Sequence, residues 1–185
     1  EEKKLSSEPS FSTLTLLPES ERANALVKAA LAKEAEGRYG EALEIYQKVI
    51  DEYPEMLYRV SPYGVFIPIG EYCQLRILSF PKDALEFYRT KFDARAREVF
   101  DLAHQRNSLE GLAEIRDKML ATSYGARSLL TLGMSALDRG HYLEALEYFQ
   151  QVWTRFPESG LRGPELALPL ALCRRKLGME EPGGE

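Results

Sequence analysis

The stretch GRYGEALEIYQKVIDEYPE (residues 37–55) decides the fold, because it returns as GHYLEALEYFQQVWTRFPE at residues 140–158. The two align without a gap at a constant offset of 103, and ten of the nineteen positions are identical. Aromatic or aliphatic character persists at Tyr46 and Phe149, at Ile50 and Trp153, and at Tyr53 and Phe156. Chance similarity between two amphipathic helices would not also preserve the turns on both sides, so the pattern reads as an internal repeat.

Each position in the pattern has a physical role. Gly37 and Gly140 end a first helix where an unusual backbone conformation is needed. Ala42 and Ala145 are small and let a second helix approach the first closely, while Tyr46 and Phe149, one turn on, fill the space beside them. Pro54 and Pro157 stop the second helix, since proline lacks the N–H and disfavours helix at the residue before it. Upstream, Leu26 and Ala30 in one copy and Leu129 and Gly133 in the other take the packing face of the first helix.

These residues resemble the tetratricopeptide repeat family, a helix-turn-helix unit of about 34 residues with small, aromatic and proline positions spaced in this way. An offset of 103 is close to three such units. The resemblance implies an all-α, right-handed α-α superhelix of helix-turn-helix repeats. Regular repeats are expected at 20–55 and 124–158, and a degenerate one around Gly111 at about 93–121. One unit further back the pattern fails at Ile77, so the centre carries an irregular insert at 57–90. Within it, LYRVSPYGVFIP (57–68) has two β-prone runs flanking Ser61, Pro62, Tyr63 and Gly64, which suits a small β-hairpin or an extended loop. Short helices are expected at 71–79 and 81–90, and the next first helix at about 93–105. Residues 165–177 read as a terminal first helix, expected to be either a cap that shields the last repeat or the end of a piece cut from a longer protein. A single helical domain at 19–179, a flexible leader at 1–18 and a flexible tail at 180–185 complete the expected organisation.

Taken together with LSFPKDALEFYRTKFDARAREVF (78–100) and ATSYGARSLLTLGMSALDRGHYLEALEYF (121–149), the arrangement is similar to the N-terminal helical region of planctomycete-type bacterial proteins. Those proteins carry a pyrroloquinoline-quinone-like β-propeller further along. This second resemblance implies an extracytoplasmic, periplasmic setting and a role as accessory domain to a propeller enzyme. A downstream domain of the same polypeptide then becomes a possible partner. The propeller is not in this sequence, so no quinone or metal role is carried over.

Composition narrows the function classes. A net charge of −5 with both signs interspersed gives no basic footprint for nucleic acid. No apolar run reaches the roughly 20 residues of a membrane span. Cys73 and Cys173 lie far apart, without a CxxC or a histidine at ligand spacing, which argues against metal; buried free thiols are the simpler reading, a long-range disulfide the other. His104 and His141 fall at a helix end and in a repeat turn, and no nucleophile, P-loop or dinucleotide motif accompanies them. No catalytic residue, cofactor or metal site is therefore expected.

A protein or peptide partner is expected instead. In helical-repeat solenoids the first helices line a concave face. The groove residues so predicted are Asn24, Val27, Lys28 and Leu31 in the first repeat, with Arg127, Leu130, Thr131 and Met134 in the last. Val27 and Leu31 stand where chaperone-binding members of the family place Lys and Asn, so that ligand is not implied.

Overall fold

A computed structural model describes residues 18–179. The expected tail lies outside the described residues, as does all of the expected leader except Pro18. Among the described residues are eight helices and one two-stranded hairpin. The helices are α1 (Glu21–Ala35), α2 (Tyr39–Glu52), α3 (Ile69–Leu78), α4 (Lys82–Arg106), α5 (Leu109–Lys118), α6 (Gly125–Asp138), α7 (Tyr142–Arg155) and α8 (Pro164–Lys176). The strands are β1 (Leu57–Arg59) and β2 (Phe66–Pro68), antiparallel with Tyr58 opposite Ile67. The architecture is the expected all-α one, consecutive helices packing pairwise, with the hairpin in the predicted insert.

The two copies of the repeat fold alike for the reasons their residues suggest. Ser20 caps α1, its Oγ accepting from the Ala23 N–H at 3.2 Å. The helix ends at Gly37, whose φ of 74° is left-handed, and the Arg38 N–H returns to the Lys33 carbonyl. Gly140 has φ 77°, with the His141 N–H on the Ala136 carbonyl. Both are Schellman turns, and each sends the chain straight into the second helix. Tyr46 and Phe149 are fully buried between their helix pairs. Gly133 lets the Phe149 ring approach closely: a Cβ there would lie 2.5 Å from that ring.

The centre departs from the expected boundaries in one respect. The helix expected at 81–90 and the one expected at about 93–105 are a single helix, α4, of 25 residues. Thr90, Lys91 and Phe92 contain no glycine or proline, so nothing breaks the backbone hydrogen bonds there. α4 ends at Asn107, left-handed at φ 49°. Its first half packs on α2 and its second half on α5. Near its middle, Asp93 accepts from the Ser123 N–H at 3.0 Å and from the Ser123 hydroxyl at 2.7 Å, which fixes the turn into α6.

Apolar cores form at both ends. One joins α1, α2 and α3 with Phe80 and Tyr88, and the other joins α6, α7 and α8. Smaller clusters around Ile115 and Leu112 connect α4, α5 and α6 between them. Cys73 and Cys173 are both fully buried free thiols, one in each end core. No helix among the described residues is long and apolar enough to cross a membrane.

Candidate functional site

The insert meets both repeats at a cleft of about 440 Å³. The end of α2 contributes Ile50 and the turn after it Pro54 and Glu55, the start of α3 contributes Glu71 and Gln74, and α5 contributes Arg116 and Asp117. From α7 come Glu144, Glu147, Tyr148, Gln151 and Arg155, which recur once per helical turn along one face.

Two buried glutamines hold this cleft together. Gln74, 2% exposed, donates to the Arg116 carbonyl at 2.9 Å and accepts from the Leu120 N–H at 2.7 Å. Gln47, 8% exposed, donates to the Lys118 carbonyl at 3.2 Å and accepts from the Tyr88 hydroxyl at 3.3 Å. The last carbonyls of α5 have no intrahelical partner, and the two side chains supply one from α2 and α3. On the opposite side, Glu34 of α1 accepts from the Tyr46 hydroxyl at 3.0 Å and from Arg76 Nε at 3.3 Å, pinning α3 to the first repeat.

Two arginines bridge the cleft walls. Arg155 donates to Glu71 at 2.8 Å and to Gln151 at 3.0 Å. Arg116 donates to the Tyr148 hydroxyl at 2.8 Å and to both oxygens of Asp117, at 2.6 and 2.8 Å. The bonds to Asp117 raise the Arg116 guanidinium above its already high ordinary value, so it stays charged. Asp117 and Glu71 are thus each matched by an arginine, which leaves Glu55, Glu144 and Glu147 as an acidic excess on the wall. Among the described residues no group of three or more His, Cys, Asp or Glu could hold a metal ion.

The residues expected to line a concave groove are placed differently from one another. Val27 is fully buried in the first core and cannot touch a partner, because α1 turns that position toward α2. Leu31 and Leu130 are half-buried and pack on the cores. Asn24 is half-buried, and its Oδ1 has no hydrogen-bond partner among the described residues. Thr131 returns its hydroxyl to the Arg127 carbonyl at 3.0 Å. Lys28, Arg127 and Met134 are exposed. The α1 set and the α6 set are not brought into one site: α1 packs on α2, while α6 packs on α5, α7 and α8.

His104 and His141 are both exposed. Their Nδ1 atoms lie 3.1 Å from the Phe100 carbonyl and 3.2 Å from Glu144. The cleft residues Glu71, Gln74, Arg116, Tyr148 and Arg155 were not singled out from sequence. Their signal was slight: a glutamine and a charge on otherwise apolar helix faces, drawn together across 84 residues in the case of Glu71 and Arg155.

The helix-pair geometry at both ends can be set beside known families. Residues 24–55 and 127–159 match the tetratricopeptide repeat. The tetratricopeptide match stops short of α3, α4 and α5, where the register is broken, and of α8. It touches the repeats alone and lends nothing to the β-propeller resemblance. Neither the curated proteins nor the solved structures gave a match to the chain.

Proposed function

We propose that this chain is a non-catalytic scaffold that holds a protein or peptide partner, and that the cleft between α2, α3, α5 and α7 is its main recognition surface. Tetratricopeptide repeats generally mediate protein–protein contact, which supports the scaffold role. The observation that carries the choice of surface is convergence: both repeats and the insert peculiar to this chain contribute walls to one concave space. Glu55, Glu144 and Glu147, none of them paired with an arginine or lysine among the described residues, suit a partner segment with basic side chains. On this reading the first-helix residues give two separate secondary surfaces, one on α1 with Lys28 exposed beside Asn24 and Leu31, and one on α6 with Arg127 and Met134 exposed beside Leu130 and Thr131.

Quantitative affinity capture with the 185-residue chain as bait tests this. Capture should fall sharply in a Glu55→Lys/Glu144→Lys variant and persist in Lys28→Glu/Arg127→Glu. The reverse pattern would remove the cleft from the proposal and move recognition to the first-helix face.

A further inference from the structure

The carbonyl of Pro18, the first described residue, accepts from the Leu57 N–H of β1 at 2.8 Å. That bond reaches the two-stranded sheet from outside. The Val60 N–H donates to the Val65 carbonyl at 2.9 Å and the Ile69 N–H to the Met56 carbonyl at 2.8 Å, so Met56, Tyr58 and Val60 turn their backbone groups toward β2. Leu57 and Arg59 turn theirs away. Among the described residues the Arg59 N–H and carbonyl have no backbone partner on that side.

The two edges of the hairpin differ. On β2 the outward residues are Phe66 and Pro68, and a proline, having no N–H, blunts that edge. On β1 the outward residues are Leu57 and Arg59, and Pro18 stands at the first of them. One hydrogen bond is all Pro18 can make there, because any other residue would return its own N–H to the Leu57 carbonyl. The direction of the chain before Pro18 follows from what lies on each side. A parallel course would run past Met56, whose N–H donates to the Tyr53 carbonyl at 3.1 Å in the turn after α2, so it would find no strand. An antiparallel course meets Tyr58, Arg59 and Val60 in turn.

The sequence before Pro18 suits that edge. FSTLTLL (11–17) holds no charge, glycine or proline, and threonine and leucine alternate over 13–16. With Pro18 opposite Leu57, position 17 falls opposite Tyr58, position 16 opposite Arg59 and position 15 opposite Val60. Leu17 then shares the face of Tyr58, whose ring lies 4.4 Å from that of Tyr72 at the margin of the first core. Leu16 shares the face of Leu57 and Phe66, both only half-buried. A two-stranded hairpin is marginal by itself, and a third strand adds cover on both faces.

We infer that the outer edge of β1 is a docking site for residues 15–18 of this chain, which add to the hairpin as an antiparallel third strand. Pro18 already tethers that segment to the edge, so its effective concentration there exceeds that of any separate chain. The added strand carries the preceding residues toward the hairpin tip. It thereby leads them away from Pro54, Glu55 and Pro68, which line the cleft at the hairpin base, and it closes an edge that another chain could otherwise pair with. The inference stands apart from the scaffold reading and uses a different surface.

Disulfide trapping in the 185-residue chain tests direction and register together. Positions 15 and 60 form a non-hydrogen-bonded pair in this arrangement, with Cα atoms about 4.5 Å apart and within disulfide reach. Positions 16 and 60 face opposite sides of the sheet. Under oxidised glutathione, Thr15→Cys/Val60→Cys should close an intramolecular disulfide at least about tenfold faster than Leu16→Cys/Val60→Cys, the buried Cys73 and Cys173 being left in place. Equal rates for the two pairs overturn the inference. Amide hydrogen exchange supplies a measure free of new thiols. The Arg59 N–H should be protected in the native chain, and Leu16→Pro should speed its exchange by about tenfold or more while leaving the Tyr58 N–H, which faces β2, unchanged. Rapid Arg59 exchange in the native chain overturns the inference as well. So does Arg59 protection that grows with protein concentration, which would make the occupant a segment of a second copy.

Discussion

The side-chain amide of Gln74 donates to the main-chain carbonyl of Arg116, 2.9 Å away and 42 residues along the chain. Its carbonyl end accepts from the Leu120 N–H, so one side chain closes both strands of the turn that ends α5. The insert is therefore joined to the array by hydrogen bonds to backbone as well as by apolar packing. Gln74→Leu preserves volume but strands a buried carbonyl and a buried N–H. Each such loss costs about 1–3 kcal/mol. Urea unfolding should show Gln74→Leu less stable by roughly 2–4 kcal/mol, whereas Gln150→Leu, on the exposed equivalent of Gln47, should stay within about 0.5 kcal/mol.

Two glycines in α6 should rank in a definite order. A Cβ on Gly125 would sit 1.8 Å from the Leu120 carbonyl oxygen, so the backbone itself must move. At Gly133 the obstacle is the Phe149 ring, 2.5 Å away, a side chain that can shift at the expense of its packing. Gly125→Ala should cost about 3 kcal/mol or more, and Gly133→Ala about 1–3 kcal/mol. In thermal denaturation, adding Phe149→Leu should recover part of the Gly133→Ala loss and none of the Gly125→Ala loss.

Glu34 joins three elements through Tyr46 and Arg76, with its side chain only 15% exposed. Glu34→Gln should destabilise the chain by about 1–3 kcal/mol, because Arg76 loses its counter-charge in a partly desolvated place. Replacing both Glu34 and Arg76 by leucine should cost less than the sum of the single replacements. A double-mutant cycle in urea measures the difference, and strict additivity would show that the pair is not coupled.

Burial raises the Cys73 thiol from its ordinary 9.0 to about 12. Burial also pushes the Tyr46 and Tyr88 hydroxyls well above their ordinary 10.0. A group with a higher pKa in the folded chain keeps its proton longer there than in the unfolded chain. Its stabilisation is complete below the ordinary value and declines as pH rises. Burial raises the Cys173 thiol as well, so stability should be flat near neutrality and fall above about pH 9, by about 1.4 kcal/mol per pH unit for Cys73 with a further contribution from Cys173, and more steeply once the tyrosines join. Urea midpoints across pH 7–11 give the profile. Alkylation of Cys73 at pH 8 should likewise be limited by unfolding, since the side chain is fully buried and protonated.

Sequence alone determined the two ends of this protein. Gly37, Ala42, Tyr46 and Pro54, with their counterparts 103 residues on, act within one helix pair, and a repeated local pattern needs no distant partner to be read. The hairpin was legible for the same reason, its turn residues being contiguous. The unbroken course of α4 was less so, because a shift of repeat register suggested a boundary where no residue breaks the helix. Tertiary structure alone decided the cleft. Gln74 becomes a cap only when α5 arrives beside α3, and Glu71 meets Arg155 only through stacking of the insert on α7. Nor does sequence separate Ile50 from Trp153, equivalent apolar residues on equivalent helices. One is covered by the elements that follow it and the other is left open, and burial is a property of neighbours rather than of the residue itself.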